Sequence, residues 1–176
     1  KTMQAFKAWK SEKDNRVYSK HEKYILDSDE TFVPVWGDAI AYIPSTDTYY
    51  LSTQEAVEAI PTDCTDYVLI KLVANDPSDG VTIKAGQKVS LNTETFMINS
   101  NNTTISIEEG GAFKLVGGTV KGSNYAIRNF GKLEVSGGTI NAKYAVYNAK
   151  EMVMGDSSIE FAKDSAKLEG TRSSYI

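Results

Sequence analysis

A short run of sequence recurs at an interval of about twenty residues in the second half of the chain. The first copy reads FKLVGGTV (113–120) and then YAIRN (125–129), and the second reads LEVSGGTI (133–140) and then YAVYN (144–148). A third copy begins with MVMGD (152–156) and keeps the apolar positions but not the glycine pair. Each copy consists of β-prone runs only a few residues long, so the repeat predicts a solenoid whose coils stack on one another.

Similar strand-like runs begin well before the repeat and are separated by Gly, Asn, Ser and Asp. About three runs fall within each interval of the repeat, and they are too short for the hairpin-paired strands of a sandwich. We therefore predict short strands at these segments: 68–72, 81–83, 89–91, 96–98, 104–107, 113–116, 119–120, 126–127, 133–135, 139–140, 145–147, 152–154 and 159–161.

Stacking of the coils places equivalent residues of successive copies above one another. Two such columns are apolar and are predicted to point into the core: Phe113, Leu133 and Met152 in one, and Leu115, Val135 and Met154 in the other. Lys114 and Glu134 lie between these columns. Because side chains alternate along a strand, we predict that these two residues point outward and form an ion pair.

Two further sets of equivalent residues predict how the coils turn. Asn129 and Asn148 end equivalent strands, and we predict a ladder in which one side-chain amide bonds to the next and caps the turn. The pairs Gly117-Gly118 and Gly137-Gly138 are predicted to form corners that need a positive φ. Neither pair is followed by Lys-Ser/Thr or by the start of a helix, so they are not phosphate-binding loops.

The coils are preceded by signals for a hairpin and a helix. Two strand-like runs, 39–43 and 48–51, flank a cluster of turn-forming residues. Ser52 and Glu55 have the capping-box spacing at the start of a helix, and Pro61 ends it. We predict that this hairpin and helix cap the N-terminal end of the solenoid, where the open end would otherwise expose unpaired strands.

The first residues of the chain differ in character, because aromatic residues are scattered among many charges. Phe6 and Trp9 are three residues apart, which predicts a helix from Gln4 to Lys13 with both rings on one face. The polar C-terminal tail is predicted to be either a second cap or disordered. The predicted divisions are a partly helical N-terminal extension (1–38), a hairpin and capping helix (39–61), a parallel β-helix (62–165) and the tail (166–176).

Four segments carry a resemblance to a known class of proteins: YYLSTQEAVEAI (49–60), VLIKL (68–72), GVTIKAGQKVSL (80–91) and the repeats that end in SGGTI (136–140). They resemble the right-handed parallel β-helix modules of large bacterial surface proteins, which are adhesin-like members of the pectate-lyase-like superfamily. In agreement with the residue pattern, the resemblance implies an all-β fold, a short right-handed parallel β-helix of about four coils with an N-terminal hairpin-plus-helix cap. It also implies an extracellular or cell-surface location and other domains in a larger parent chain.

Charge and composition exclude several classes of function. The formal net charge is −4, so the chain has no basic surplus for nucleic acid. No run is long and apolar enough to insert into a membrane. Residues 75–80 contain two carboxylates but lack the spacing of a calcium loop, and they favour a turn. His21 and Cys64 are the only residues of their types and suggest no catalytic pair. We expect no metal, no cofactor and no catalytic residue.

One set of residues is a candidate ligand-binding site. Arg128 and Tyr147 are equivalent in successive coils, with Tyr125 and Tyr144 beside them. The residues before Arg128 and Tyr147 are apolar, so alternation sends these two outward, where a guanidinium stacks favourably on a phenol. Exposed aromatic residues with polar neighbours suit sugar rings. The alternative is that Tyr125 and Tyr144 only cover the corner of each coil and that this surface binds nothing.

Three hypotheses for the function follow. We favour a non-enzymatic structural or binding module of a secreted or surface-attached bacterial protein, whose partners are glycans or a protein of a host or cell surface. The second hypothesis is a polysaccharide lyase or hydrolase of the β-helix type. The third is a phage tailspike-like receptor-binding protein, which would form a trimer. The superfamily contains all three kinds of protein, so the fold alone does not choose between them.

Overall fold

The computed structural model describes residues 2–25, 28–155, 159–161 and 168–169, with side chains up to residue 155. This part of the chain is all-β apart from one short helix. The elements in chain order are β1 (Gln4–Ser11), β2 (Val17–Ser19), β3 (Phe32–Asp38), β4 (Ala41–Ile43), β5 (Thr48–Tyr50), α1 (Thr53–Glu58), β6 (Val68–Leu72), β7 (Asp76–Pro77), β8 (Val81–Ile83), β9 (Lys88–Ser100), β10 (Thr103–Ile107), β11 (Ala112–Gly122), β12 (Tyr125–Asn129), β13 (Lys132–Val135), β14 (Gly138–Asn141), β15 (Tyr144–Asn148), β16 (Glu151–Met154), β17 (Ile159–Phe161) and β18 (Leu168–Glu169).

Three parallel sheets, here called walls A, B and C, enclose the core of a solenoid of about four coils. Wall A stacks β6, the first part of β9, the first part of β11, β13 and β16. Wall B stacks β7, the later parts of β9 and β11, β14 and β17. Wall C stacks β8, β10, β12, β15 and β18. Each pairing joins strands one coil apart in parallel, which confirms the predicted parallel solenoid.

The two predicted apolar columns form the core side of wall A. In the first column Phe113, Leu133 and Met152 are 1%, 0% and 6% exposed, and in the second Leu115 and Val135 are both 0% exposed. Burial of one such side chain stabilises a fold by about 1.5–3 kcal/mol. The columns therefore stabilise the stack of coils far more than any contact on its outer surface does.

Lys114 and Glu134 lie opposite each other on the outside of wall A, as predicted. The lysine Nζ and the glutamate Oε1 are 2.5 Å apart, and the two side chains are 32% and 26% exposed. Ion pairs with this much exposure to water typically contribute less than about 1 kcal/mol. This pair therefore fixes which residues face each other between coils more than it stabilises the fold.

The predicted asparagine ladder is present at the end of wall C. Asn129 is 0% exposed, and its Nδ2 donates to Oδ1 of Asn148 at 2.6 Å and to the carbonyl of Glu151 at 2.8 Å. Its Oδ1 accepts from the N–H of Gly131 at 3.0 Å. Asn148 is 4% exposed and donates to the carbonyl of Lys150 at 3.0 Å. The two amides thus satisfy backbone groups that the turn would otherwise bury without partners.

The predicted glycine corners are also present, and the positive φ belongs to the second glycine of each pair. Gly118 has a φ of 85° and Gly138 a φ of 102°. A Cβ on Gly118 would lie 1.8 Å from Oγ1 of Thr93. That hydroxyl accepts from the N–H of Thr119 at 2.6 Å, so the corner requires both the φ and the space that only glycine provides.

The N-terminal end of the solenoid is closed by the predicted hairpin and helix. β4 and β5 pair antiparallel, and β4 also pairs antiparallel with β6, so the hairpin covers the open edge of wall A. The N–H of Glu55 donates to Oγ of Ser52 at 3.1 Å, which confirms the predicted cap. The Glu55 carboxylate accepts from the N–H of Leu51 at 3.1 Å, one residue earlier than in a standard capping box.

Two buried polar side chains hold α1 on the coils. At its first turn, Asp76 accepts from the N–H of Thr53 at 2.8 Å. At its last turn, Nε2 of Gln87 donates to the carbonyls of Val57 and Ile60, both at 2.8 Å. Asp76 and Gln87 are each 3% exposed. Each satisfies backbone groups that the ends of a helix leave without partners.

The predicted helix from Gln4 to Lys13 is wrong, because β1 is the central strand of an antiparallel sheet ordered β2-β1-β3. A β-bulge between Phe6 and Ala8 interrupts the alternation of side chains in β1. The buried residues of β1 therefore lie three positions apart: Ala5, Ala8 and Ser11. The same three-residue spacing separates Phe6 and Trp9, and it imitates a helical pattern. The two rings lie on one face of the strand because the bulge lies between them.

The predicted turn at residues 75–80 is only partly present. Asp76–Pro77 forms the short strand β7 of wall B, and the chain turns after it at Gly80, whose φ is 118°. Of the predicted tail, the structure describes Leu168–Glu169, which pairs in parallel with β15 and extends wall C. The rest of the tail lies outside the described residues. In the described part of the chain, no helix is long and apolar enough to cross a bilayer.

Candidate functional site

The four candidate residues lie together on the outer face of wall C. β12 and β15 pair in parallel, with Tyr125 opposite Tyr144 and Arg128 opposite Tyr147. Ile127 is 0% exposed, whereas Arg128 is exposed, so the side chains alternate as predicted. The structure therefore brings all four residues to one surface; that this surface binds a ligand remains a prediction.

The two tyrosines that begin these strands stack on each other. The ring centroids of Tyr125 and Tyr144 are 5.0 Å apart and their planes differ by 26°. Nζ of Lys143 lies 5.3 Å from the centroid of the Tyr144 ring. Each tyrosine thus has a ring partner one coil away, so this pair stabilises the stack as well as contributing to the surface.

Arg128 lies among three aromatic rings. Its Cζ is 5.3 Å from the ring centroid of Phe130, 5.7 Å from that of Tyr125 and 5.9 Å from that of Tyr147. Contacts of this kind are worth about 0.5–1 kcal/mol at exposed sites and restrict the side chain. The five residues Tyr125, Arg128, Phe130, Tyr144 and Tyr147 are called the Arg128 surface below.

The sequence pattern did not identify Phe130 or Lys143. Phe130 follows the last residue of β12 and is half-buried, with its ring centroid 5.7 Å from that of Tyr147. Lys143 precedes the first residue of β15. Both residues lie just outside the strands, where the alternation of side chains no longer predicts which way a side chain points. The only signal in the sequence was their position next to the repeated YAIRN and YAVYN segments.

Phe130 also lines a cleft of about 400 Å³. Gly110, Gly111 and Gly131 are among the residues that line it, so part of its surface is backbone. Four of the five charged side chains around it are paired: Lys132 with Glu151 at 2.9 Å, and Lys150 with Glu109 at 3.0 Å. The fifth, Lys88, donates to the carbonyl of Thr65 at 2.6 Å. This cleft therefore offers backbone groups, two neutralised ion pairs and the Lys88 side chain to a ligand that contacts Phe130.

Four lysines of the solenoid wall form ion pairs, whereas Arg128 does not. Besides the pairs at the cleft, Lys71 lies 2.9 Å from Glu94 and Lys114 lies 2.5 Å from Glu134. The hydrogen bond from Lys114 holds the pKa of the Glu134 carboxyl below its usual value, although partial burial opposes this. Among the described side chains, no carboxylate forms an ion pair with Arg128.

The remaining polar candidates have structural roles. Asp76 caps α1, and the thiol of Cys64 donates to the carbonyl of Pro61 at 3.0 Å. Among the described residues, no three His, Cys, Asp or Glu side chains lie close enough to hold a metal ion. The Arg128 surface is therefore the strongest candidate on the solenoid for contact with a ligand.

Comparison of the chain with protein-family models, with curated proteins and with solved structures gives no match. The parallel solenoid is shown by the strand pairing itself. The resemblance to surface modules and to the pectate-lyase-like superfamily therefore remains a prediction from the quoted segments.

Proposed function

We propose that this domain is a non-enzymatic binding module of a secreted or surface-attached bacterial protein, and that its Arg128 surface contacts acidic glycans. The observation that carries the proposal is an exposed guanidinium held among three aromatic rings without a described carboxylate partner. The location outside the cell rests on the resemblance of the sequence to bacterial surface modules. Other domains of a longer parent chain would then determine how the module is attached.

The chemistry of Arg128 favours a carboxylated or sulfated ligand. A guanidinium presents planar N–H donors that match a carboxylate in a two-point hydrogen bond. The rings of Tyr125, Phe130 and Tyr147 limit the conformations of the side chain, so less entropy is lost when a ligand binds. Acidic polysaccharides carry such groups at regular intervals along an otherwise uncharged polyol.

The column around Arg128 suits an extended ligand. In wall C, Thr82, Ser106, Arg128 and Tyr147 occupy equivalent outward positions in successive coils. Successive positions are about 4.8 Å apart, so these four side chains present three hydroxyls and one guanidinium over about 14 Å, and the backbone of Glu169 continues the column beyond Tyr147. A glycan lying along this column would meet hydroxyl groups on both sides of the cation.

The outer carboxylate Glu134 of wall A supports a binding role over catalysis. A lyase needs a base for the proton next to the uronate carboxyl group and a cation or metal to stabilise the enolate. Glu134 is paired with Lys114, and its lowered pKa makes it an ion-paired carboxylate at neutral pH. A carboxyl group poised for proton transfer would instead have a raised pKa near the working pH.

The test is affinity electrophoresis in gels that contain polygalacturonate or its fully methyl-esterified form, which differ in charge. We expect the acidic polymer to retard the wild-type protein and the ester to have little effect. Arg128→Ala should abolish the retardation. The matched control is Arg16→Ala, which removes the same charge from the N-terminal sheet and should leave the retardation intact.

Three results would overturn the proposal. The first is equal retardation of Arg128→Ala and the wild type. The second is formation of an unsaturated product from polygalacturonate, read as ultraviolet absorbance with or without calcium, which would favour the lyase hypothesis. The third is a trimeric mass in solution together with no glycan binding, which would favour a tailspike-like protein.

A further inference from the structure

Both tryptophans of the chain lie on one face of the N-terminal sheet. Trp9 on β1 is 46% exposed and Trp36 on β3 is 53% exposed. Phe6 is opposite Trp36 across the sheet, and its ring centroid is 5.1 Å from that of Trp9 and 6.2 Å from that of Trp36. On the opposite face Ala5 and Ala8 are only 2% and 3% exposed. The sheet thus buries its small residues and presents its largest rings to water.

These rings do not cover each other as the tyrosines of the solenoid do. The ring planes of Phe6 and Trp9 differ by 56°, and those of Phe6 and Trp36 by 88°. Tyr125 and Tyr144, in contrast, differ by only 26° and stack face to face. With this tilted and edge-to-face packing both tryptophans stay about half exposed, so part of each ring is open for the C–H groups of a sugar to pack on.

A cleft of about 610 Å³ borders Trp9 but not Trp36, a size within the range of small-ligand sites. Five aromatic residues form its apolar part: Phe6, Trp9, Tyr18, Tyr24 and Phe32. Four polar residues form the rest: Ser19, Lys20, His21 and Glu22. Such a combination of ring faces and convergent polar groups is typical of a site for a polar ligand with an apolar face.

The charges around the cleft disfavour a cationic ligand and leave a lysine that can donate hydrogen bonds. The formal charges of the lining residues Lys20 and Glu22 cancel. The Glu22 carboxylate is already engaged, because it accepts from Arg16 at 2.9 Å and from the N–H of Ser19 at 3.0 Å. The Arg16 guanidinium lies 4.8 Å from the ring centroid of Tyr18 and is likewise engaged. A cation would therefore gain no free carboxylate here, whereas Lys20, which has no ion-pair partner among the described residues, can donate to a ligand hydroxyl group.

We propose that this aromatic cleft binds an uncharged sugar ring of a glycan, separately from the Arg128 surface. The sugar packs one face against Trp9, and its hydroxyl groups hydrogen-bond to the polar side at Lys20 and His21. Two surfaces of different chemistry, one for acidic and one for neutral sugars, would give the module two points of contact with a mixed polysaccharide. Two such contacts on one chain raise the overall affinity without either being strong.

The two tryptophans make the proposal directly measurable. In Trp36→Phe, Trp9 is the only tryptophan, so its fluorescence reports on the cleft alone. We expect a saturable quench or blue shift when this variant is titrated with at least one of cellohexaose, maltohexaose, mannohexaose and chitohexaose. Affinity electrophoresis should show that Trp9→Ala weakens binding at least about tenfold, whereas Trp36→Phe leaves it unchanged.

Controls separate this site from the Arg128 surface. Arg128→Ala should bind the neutral sugar normally, so failure of either proposal is visible without the other. Trp9→Phe keeps a ring and should retain part of the affinity, which tests packing if Trp9→Ala fails to fold. No saturable change with any neutral sugar would overturn the proposal. An equal loss of affinity in Trp9→Ala and Trp36→Phe would also overturn it. So would a fluorescence response to a Leu-rich peptide alone, which would indicate a peptide-docking site.

Discussion

Replacing Asn129 with Ala tests the most specific polar feature of the solenoid. The change removes three hydrogen bonds of a side chain that is 0% exposed: to Asn148 Oδ1, to the carbonyl of Glu151 and from the N–H of Gly131. A typical hydrogen bond contributes about 0.5–1.5 kcal/mol, and a buried group left without a partner costs about 1–3 kcal/mol. Three such losses, partly relieved by water, predict a destabilisation of about 3–4 kcal/mol.

Asn148→Ala should cost less, about 1–3 kcal/mol, because the Asn129 amide keeps its bonds to the backbone of the turn. The double variant should be less destabilised than the sum of the single variants, since both lose the same amide-to-amide bond. The matched control is Asn101→Ala, an exposed asparagine whose loss should change stability by less than about 0.5 kcal/mol.

The assay is urea unfolding at equilibrium, followed by far-ultraviolet circular dichroism, with equal slopes required for the comparison. Circular dichroism is preferable to tryptophan fluorescence, because both tryptophans lie in the N-terminal sheet and not in the coils. If Asn129→Ala were no more destabilising than Asn101→Ala, or if the two ladder substitutions were strictly additive, the ladder would not support the turn in the way described.

Three further predictions concern the coils. Leu133→Asp should unfold the domain because it buries an unpaired charge, whereas Glu134→Ala should change stability by less than about 1 kcal/mol; thermal melts that reversed this order would refute the inward and outward assignment. Gly118→Ala should lower the free energy of unfolding by about 1–3 kcal/mol, and Gly117→Ala should lower it by clearly less. The reason is that only Gly118 combines a φ of 85° with a Cβ position 1.8 Å from Thr93 Oγ1. The pKa of Glu134 is lower in the folded protein than in the unfolded chain, so its ion pair contributes stability above the unfolded pKa of about 4.3. This contribution is lost as the pH falls through the folded pKa. The melting temperature of the wild type should therefore fall more than that of Glu134→Gln between about pH 6 and about pH 3, and parallel curves would contradict this.

Local sequence predicts the coils well because each coil is built from short, repeated signals. The inward columns follow from side-chain alternation within one strand, and the Lys114–Glu134 pair follows from the repeat interval. Asn129 and Asn148 were likewise predictable, since they end equivalent strands one coil apart. Wherever a contact repeats from coil to coil, its position in one copy predicts its position in the next.

Features that do not repeat were missed or misassigned. Asp76 and Gln87 hold α1 through contacts 23 and 27–30 residues away in sequence, which no local pattern indicates. The bulge in β1 gave Phe6 and Trp9 a helical spacing within a strand. The aromatic cleft was missed because it is formed by β1, β2, β3 and the segment between β2 and β3, whose sequences do not repeat.

The central claim is that the guanidinium of Arg128 binds the carboxylate groups of an acidic glycan. Its most direct test is calorimetric titration of the wild type, Arg128→Lys and Arg128→Ala with oligogalacturonate, after their melting temperatures have been shown to agree. Lysine keeps the charge but lacks the planar pair of donors, so we predict affinity about tenfold weaker for Arg128→Lys and no measurable binding for Arg128→Ala. Equal affinities for all three proteins, or no binding by the wild type, would contradict the claim.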